Sequence, residues 1–335
     1  MNACVITTFR CNAKCHMCNI WQSPTQPSEE LEPRYLERLP DGLGRVNVTG
    51  GEPMLRDDLE DIIEIIYRKA RLVEISTNGF YTDKILSIAH RFPKVMFRVS
   101  LEGLPALNDR LRGTKDGFDH ALRTMLGLID SPVRDIGFSV VICDKNTEDL
   151  VTLYRLCAAL GVEFGNSVMH NSWYFHKTDN VVKDVPRAMA AEEEFITALL
   201  TSSRPQAFLR IKDYLRAYFN LNILNHLEGR SNVFGGQCIA GTDLFFVDPW
   251  GNITPCNGSA DPWIMGNLKE QSFEEIWTSS QAAAVRDRVC ACEESCAFIG
   301  TARFDMLRHP VKPLKWIARN KLRIARGLPV DFEQS

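Results

Sequence analysis

Cys11, Cys15 and Cys18 lie close together in the run Thr7-Thr8-Phe9-Arg10-Cys11-Asn12-Ala13-Lys14-Cys15-His16-Met17-Cys18. Sulfur is a soft donor, and three thiolates on one short loop can hold three irons of a cubic iron-sulfur cluster, leaving the fourth iron open to an exchangeable ligand. Two other readings stand beside it. A structural zinc site takes four ligands, commonly as paired cysteines. A disulfide framework belongs to an oxidising compartment, and no secretory signal precedes the motif. The chain therefore reads as cytosolic.

A second group, Cys238, Cys256, Cys290, Cys292 and Cys296, lies late in the sequence, so eight of the eleven cysteines are clustered. Clustering favours metal over scattered core thiols. After Cys238 come an apolar run, Asp243-Leu244-Phe245-Phe246-Val247-Asp248, a turn at Pro249-Trp250-Gly251-Asn252, and Ile253-Thr254-Pro255-Cys256. A hairpin there brings Cys238 and Cys256 to one end, as a metal site requires. Spacing alone also allows a zinc ribbon.

The elements that position these thiols follow from periodicity. With 335 residues and 45% apolar content, the chain can build a large core. Residues 3–8 predict a buried strand that delivers the first cysteine loop at its C-terminal end. Further strands are predicted near 44–49, 72–77, 94–101, 134–142 and 162–168, with helices near 57–71, 81–92, 115–129 and 146–160. Repeated βα units imply an α/β fold with a parallel sheet, and six of them fit a partial (β/α)6 TIM-like barrel. Chemistry in such barrels gathers at the C-terminal ends of the strands. The net charge of -3 gives no global pull toward nucleic acid or membranes. No apolar run approaches the roughly 18 residues of a spanning helix.

The spacing of Cys11, Cys15 and Cys18 resembles the CxxxCxxC signature of the radical SAM superfamily. There the open iron of a [4Fe-4S] cluster is chelated by S-adenosylmethionine, which is cleaved to a 5'-deoxyadenosyl radical that abstracts hydrogen from the substrate. Loop residues extend the resemblance. Gly50-Gly51-Glu52-Pro53 is similar to the family's GGEP motif, which contacts the amino group of SAM; by itself it is only a turn. Ser76-Thr77-Asn78-Gly79 is similar to the segment beside the ribose and methionyl group. Ser100 and Arg112 match a serine and arginine that bind the SAM carboxylate, a task suited to a planar guanidinium, and Glu102 matches an acidic residue facing ribose or substrate. Read without the motifs, Arg112 is a solvated surface charge. Met17 stands where the family usually has an aromatic residue, so the adenine pocket is expected to differ. Cys143, at the end of the fifth strand, is either a small buried hydrophobe or a hydrogen donor to a substrate radical, as in an epimerase.

The stretch 166–180 is dense in aromatics and hydrogen-bonding groups. His170, Asn171, Trp173, Tyr174 and His176 are candidates for substrate contact; the alternative is that the rings merely cover the barrel mouth. The late cysteines, with Gly251 to Cys256 and Gly266-Asn267-Leu268, resemble the SPASM/twitch extension, a small β-hairpin plus helix domain. A full SPASM domain has seven cysteines and two auxiliary clusters, whereas five cysteines imply one auxiliary [4Fe-4S] cluster. Cys238, Cys256 and Cys296 are first choices as ligands, with Cys292 ahead of Cys290. The expected divisions are a barrel at 1–185, bridging helices at 186–235, the auxiliary domain at 236–300 and a basic tail at 301–335. The tail can dock an anionic lipid surface or an acidic substrate. It can also pack as a helix through Leu314, Ile317 and Ile324.

Together these readings lead to a radical SAM oxidoreductase or epimerase acting on a small polar molecule such as a sugar, aminocyclitol or nucleoside, served by an electron donor such as flavodoxin or ferredoxin. Modification of a ribosomally made peptide is the second enzymatic reading, although no room for an N-terminal peptide-recognition domain is seen before Cys11. A non-catalytic iron-sulfur or zinc protein is the third.

Overall fold

The structure, a computed structural model, describes residues 1–230, 238–293 and 296–333. In chain order the elements are β1 (Asn2–Ile6), β2 (Leu43–Thr49), α1 (Leu59–Lys69), β3 (Ala70–Thr77), α2 (Thr82–Arg91), β4 (Met96–Ser100), α3 (Pro105–Arg112), α4 (Gly117–Ile129), β5 (Ile136–Ile142), α5 (Leu150–Leu160) and β6 (Glu163–Val168). There follow α6 (Val185–Leu200), α7 (Ala207–Leu227), β7 (Leu244–Val247), β8 (Asn252–Thr254), β9 (Gly266–Asn267), α8 (Phe273–Thr278), α9 (Ser280–Cys290), α10 (Ile299–Arg308) and α11 (Val311–Ala325).

Two compact units form. The first comprises Met1–Ser139, His170–Asn180 and Cys238–Cys292; the second comprises Val140–Met169, Val181–Gln237 and Glu293–Ser335. The expected boundary between 235 and 236 lies outside the described residues.

In the first unit the strand order is β5-β4-β3-β2-β1-β7-β8-β9. β5 runs on into the second unit, where β6 is its neighbour. Strands β1 to β5 and β7 pair in parallel, and β8 and β9 add antiparallel. Register places Val247, Val5, Val48, Ile75, Phe97 and Ile136 in one row across the sheet. All six are buried, which fixes the register, since a one-residue slip would turn each of them to the other face. The architecture is the partial parallel barrel, and the late hairpin is an extension of the same sheet, because β7 lies directly on β1.

Helix α1 closes on the sheet through Leu59, Ile62, Ile63 and Ile66, the spacing of a single helical face. Sequence reasoning missed α3 as a complete helix. Pro105 starts it and Gly113, at φ 57°, ends it, the Pro-first, Gly-last asymmetry of a short helix. A Cβ on Gly113 would stand 2.6 Å from the Lys14 carbonyl oxygen, so this glycine also permits the close approach of the cysteine loop.

Candidate active site

Because the strands are parallel, their C-terminal ends share one edge, and the loop bearing Cys11, Cys15 and Cys18 leaves β1 at that edge. Backbone bonds pin it: Lys14 N donates to Arg112 O at 2.8 Å, His16 N to Leu111 O at 2.7 Å, and Cys18 N to Cys15 O at 3.1 Å. The end of α3 therefore positions the thiols. Burial pushes the Cys11 and Cys18 thiols up to about 12 and raises Cys15 as well, and Cys11 and Cys18 each also feel the charge of Cys15.

The Gly50 to Pro53 segment docks against the same loop. Gly51 N donates to Thr8 O at 2.7 Å and Glu52 N to Arg10 O at 2.8 Å. A Cβ on Gly51 would fall 2.2 Å from Arg10 O and 3.0 Å from Cys11 Cβ, so only glycine permits this approach. Glu52 is wholly buried. Its carboxylate accepts from Thr77 Oγ1 at 2.7 Å, Asn78 N at 2.7 Å and Met54 N at 3.1 Å. Burial raises its pKa, opposed by these bonds and by Arg112. Glu52 thus ties the second loop to the third, and most of its acceptor capacity is committed to the protein. Asn78 continues the tie, its Nδ2 donating to Asn12 Oδ1 at 2.6 Å. Ser76 Oγ meets Asn47 Oδ1 at 3.1 Å, and Ser100 ends β4 opposite Ser139.

Arg112 is buried, so it is no solvated surface charge. Its Nη1 donates to Glu102 Oε1 at 3.0 Å. Desolvation lowers the pKa of Arg112, but Cys15, Glu102, Cys11 and Glu52 outweigh it and the net shift is upward. A permanent cation is therefore fixed beside the thiols, where it favours their ionised, metal-binding form. Asn108 Oδ1 accepts from Glu102 N at 2.9 Å.

Of the aromatic stretch, Trp173 and Tyr174 lie within a packed cluster. Both are buried, and their polar atoms are held by backbone: Trp173 Nε1 donates to Cys256 O at 3.1 Å and the Tyr174 hydroxyl to Gly50 O at 2.6 Å. They join a cluster with Cys4, Ile6, Phe9, Ile20 and Phe246, against which Cys11, Cys18 and Cys256 pack. His176 is exposed at φ 48°, its ring edge-on to Phe9 at 5.4 Å, and burial lowers its pKa. Asn171 is exposed and its Oδ1 accepts from Asn180 N at 2.8 Å, while Asn180 Nδ2 donates to Met17 O at 3.0 Å and His170 O at 2.8 Å. Met17 is buried. Cys143 belongs to the second unit, buried just past β5, with its N–H donating to Asn146 Oδ1 at 2.8 Å.

Sequence reasoning also missed Glu30. It is buried and takes Arg10 Nη2 at 2.8 Å, Arg10 Nε at 3.0 Å and Thr25 Oγ1 at 2.8 Å, anchoring the residue before Cys11. It sits in an aperiodic loop, where no pattern marks it.

At the late cysteines, Asp248 builds the β7–β8 turn by accepting from Trp250 N and Asn252 N at 2.9 Å each. Gly251, at φ 92°, completes it. Arg286 of α9 was also missed. It donates from Nε to Gly241 O at 2.8 Å and from Nη2 to Trp277 O at 2.7 Å, with its guanidinium over the Trp277 ring. That staple brings the end of α9 to the start of the hairpin. Burial raises the Cys238 thiol, a backbone hydrogen bond at Ala240 opposes it, and Cys256, Cys292 and Cys290 raise it further in that order. Cys296 falls in the second unit.

Both thiol groups fit iron-sulfur ligation. Among the described residues no three His, Cys, Asp or Glu side chains converge as ligands of a single ion. A cluster asks for less convergence, since each thiolate binds its own iron. In the first group Cys11 and Cys18 feel the charge of Cys15 beside a fixed cation, and in the second Cys256, Cys292 and Cys290 act electrostatically on Cys238.

A parallel barrel with such a loop at its C-terminal edge defines a class, and comparison agrees. A family model described as the radical SAM superfamily matches residues 5–157, and the SPASM iron-sulfur cluster-binding domain matches 238–297. The chain therefore combines a radical SAM domain with a C-terminal SPASM domain. Its cofactors are accordingly S-adenosylmethionine, the [4Fe-4S] cluster that binds it, and auxiliary iron-sulfur. The pre-heme d1 synthase of Dinoroseobacter shibae is 26% identical over 293 residues, 81% of this chain and 71% of that protein. The mycofactocin maturase MftC of Mycolicibacterium smegmatis is 26% identical over 343 residues, 97% and 79%. Among solved structures, Streptococcus suis SuiB superposes with a TM-score of 0.62 at 16% identity, covering 85% of this chain and 67% of that one. Native anSMEcpe with bound AdoMet and Cp18Cys peptide gives 0.62 at 14%, covering 95% and 99%. At these identities the structural likeness is one of fold. The expected sugar, aminocyclitol or nucleoside substrate finds no support among the relatives, which include peptide maturases and haem synthases. Among the described residues no helix is long and apolar enough to cross a membrane.

Proposed function

We propose that this chain is a radical SAM maturase that modifies a peptide. The observation that carries the reading is the MftC match, which spans 97% of this chain and so includes both cysteine groups. With its groups bound, the site supplies a 5'-deoxyadenosyl radical for hydrogen abstraction. Cys11, Cys15 and Cys18 hold the first cluster. Gly50, Gly51, Glu52 and Pro53, with Ser76, Asn78, Ser100 and Arg112, shape the SAM site, and Met17 lines its adenine side. Glu102 orients Arg112 and faces the substrate side. Cys238, Cys256 and Cys292 would hold one auxiliary [4Fe-4S] cluster, which would supply an electron acceptor on that side of the site. A flavodoxin- or ferredoxin-like donor supplies the first electron.

The test is anaerobic reconstitution, followed by incubation with SAM, reductant and short peptides encoded beside the gene. Mass spectrometry should show a peptide mass change together with 5'-deoxyadenosine. A second reading, tetrapyrrole modification, is favoured by the match to the pre-heme d1 synthase and to the Fe-coproporphyrin III synthase of Methanosarcina barkeri, 24% identical over 300 residues. Turnover of an iron porphyrin with no peptide turnover would replace the first reading by the second. Should Cys143 donate hydrogen, solvent deuterium would enter the product at carbon, and Cys143→Ala would abolish that label.

A further inference from the structure

Helix α11 presents three distinct faces. Pro313, Trp316, Ile317 and Asn320 are its buried residues. Trp316 packs on Tyr218 with ring centroids 5.7 Å apart, and its Nε1 donates to Asp331 O at 3.1 Å. Asn320 Oδ1 accepts from Asp331 N at 2.7 Å, and Lys321 Nζ donates to Leu200 O at 2.9 Å. These contacts fix how the helix is rotated. Sequence reasoning placed Leu314 on the packed face with Ile317 and Ile324. In the structure Leu314 points outward and is 59% exposed.

With the rotation fixed, about 100° per residue sets the other faces. Val311, Leu314, Ala318, Leu322 and Ala325 fall on one outward arc of about 80°, and all five are exposed. Leu307 and Leu328, also exposed, flank this stripe. Lys312, Lys315, Arg319, Arg323 and Arg326 fall on the adjoining arc of about 80°. Residues 311–326 contain six Lys or Arg and no Asp or Glu, in a chain whose net charge is -3. Arg319 pairs with a carboxylate, Asp331 at 3.4 Å.

We propose that this face of α11 docks on an anionic lipid bilayer, lying on its surface. Large aliphatic side chains held out in water on a rigid helix are an unusual exposure for a soluble surface. A basic stripe beside them supplies the complementary charge. From Val311 to Leu322 the apolar stripe runs roughly 16 Å along one helix, a convex ridge suited to a plane. An interfacial helix binds through buried apolar area plus attraction to anionic headgroups.

The experiment is co-sedimentation of the full, anaerobically reconstituted protein with vesicles of phosphatidylcholine alone or mixed with phosphatidylglycerol. Binding is expected to the mixed vesicles only, weakening as salt shortens the screening length from about 10 Å at 0.1 M toward about 3 Å at 1 M. Two variants separate the contributions: Leu314→Ser with Leu322→Ser, and Lys312→Glu with Lys315→Glu and Arg323→Glu. Each should reduce vesicle binding about tenfold or more, with unchanged circular dichroism and iron content. Absence of binding to anionic vesicles overturns the proposal. So does a salt-insensitive dimer that dissociates in the leucine variant, which would make the stripe a contact between copies. Tighter binding to an acidic peptide than to vesicles would assign the face to a protein partner instead.

Discussion

The Arg112 guanidinium and the Glu102 carboxylate meet at 3.0 Å, both buried, directly beside the cysteine loop that the end of α3 pins. Removing one member of a buried pair strands the other charge, which costs about 3–5 kcal/mol. Glu102→Ala is expected to lose stability on that scale in chemical unfolding, and Glu102→Gln, which keeps an acceptor, to lose less. Equal and small losses would show that the pair is solvated. Arg112→Lys is expected to weaken SAM binding while keeping charge, because the planar fork is lost.

The two cysteine groups are expected to separate in iron content. The intact protein should hold about eight irons, and Cys15→Ala about four, from two four-iron clusters. Cys15→Ala should also abolish SAM cleavage. Cys256→Ala is expected to retain some 5'-deoxyadenosine formation and to lose product. Unaltered product yield in Cys256→Ala would remove the electron-acceptor role, and bound zinc would replace the auxiliary cluster.

Gly51 is a steric requirement, since an added Cβ meets backbone 2.2 Å away. Gly51→Ala is expected to displace the cysteine loop at a cost of roughly 1–3 kcal/mol or more. The first cluster should then incorporate poorly while the auxiliary cluster forms. Normal loading of both, read by electron paramagnetic resonance of the reduced protein, would contradict the steric account.

Glu192, on the buried side of α6 with Ala188, Phe195, Ile196 and Leu199, has no hydrogen-bond partner for either oxygen among the described residues. Burial pushes its pKa up from 4.5 to about 8. The folded state therefore keeps a proton that the unfolded chain has already released. Its contribution to stability is fully present below pH 4.5 and is lost as pH rises through about 8. Glu192→Gln is expected to flatten that fall, so the variant gains several kcal/mol on the wild type between the two limits. Parallel pH profiles for the two proteins in urea unfolding would show that Glu192 is hydrated.

Much of the barrel was legible from the chain. The six expected strands form within two residues of their predicted ends, because burial on both faces leaves continuous apolar runs. The cysteine loop, Gly50 to Pro53 and Ser76 to Gly79 stand out in the chain because short-range spacing carries them, whereas Arg112 was singled out only by the resemblance, and the fold brings it against the cysteine loop. For Trp173 and Tyr174 the chain left two readings open, because an aromatic ring has the same sequence signature in a pocket and in a core. Only the bonds to Cys256 O and Gly50 O distinguish the two.

What the sequence determined by itself is therefore the local chemistry: which thiols are grouped, where strands end, and which glycines allow backbone to close on a ligand. Tertiary structure alone decided the partnerships between residues far apart in the chain, such as Glu30 with Arg10, Arg286 with Gly241, Asn180 with Met17 and Tyr174 with Gly50. It also decided which side of α11 meets water. The physical reason is that periodicity and turn preference act over a few residues, whereas a buried polar atom takes whichever partner the completed fold brings within reach.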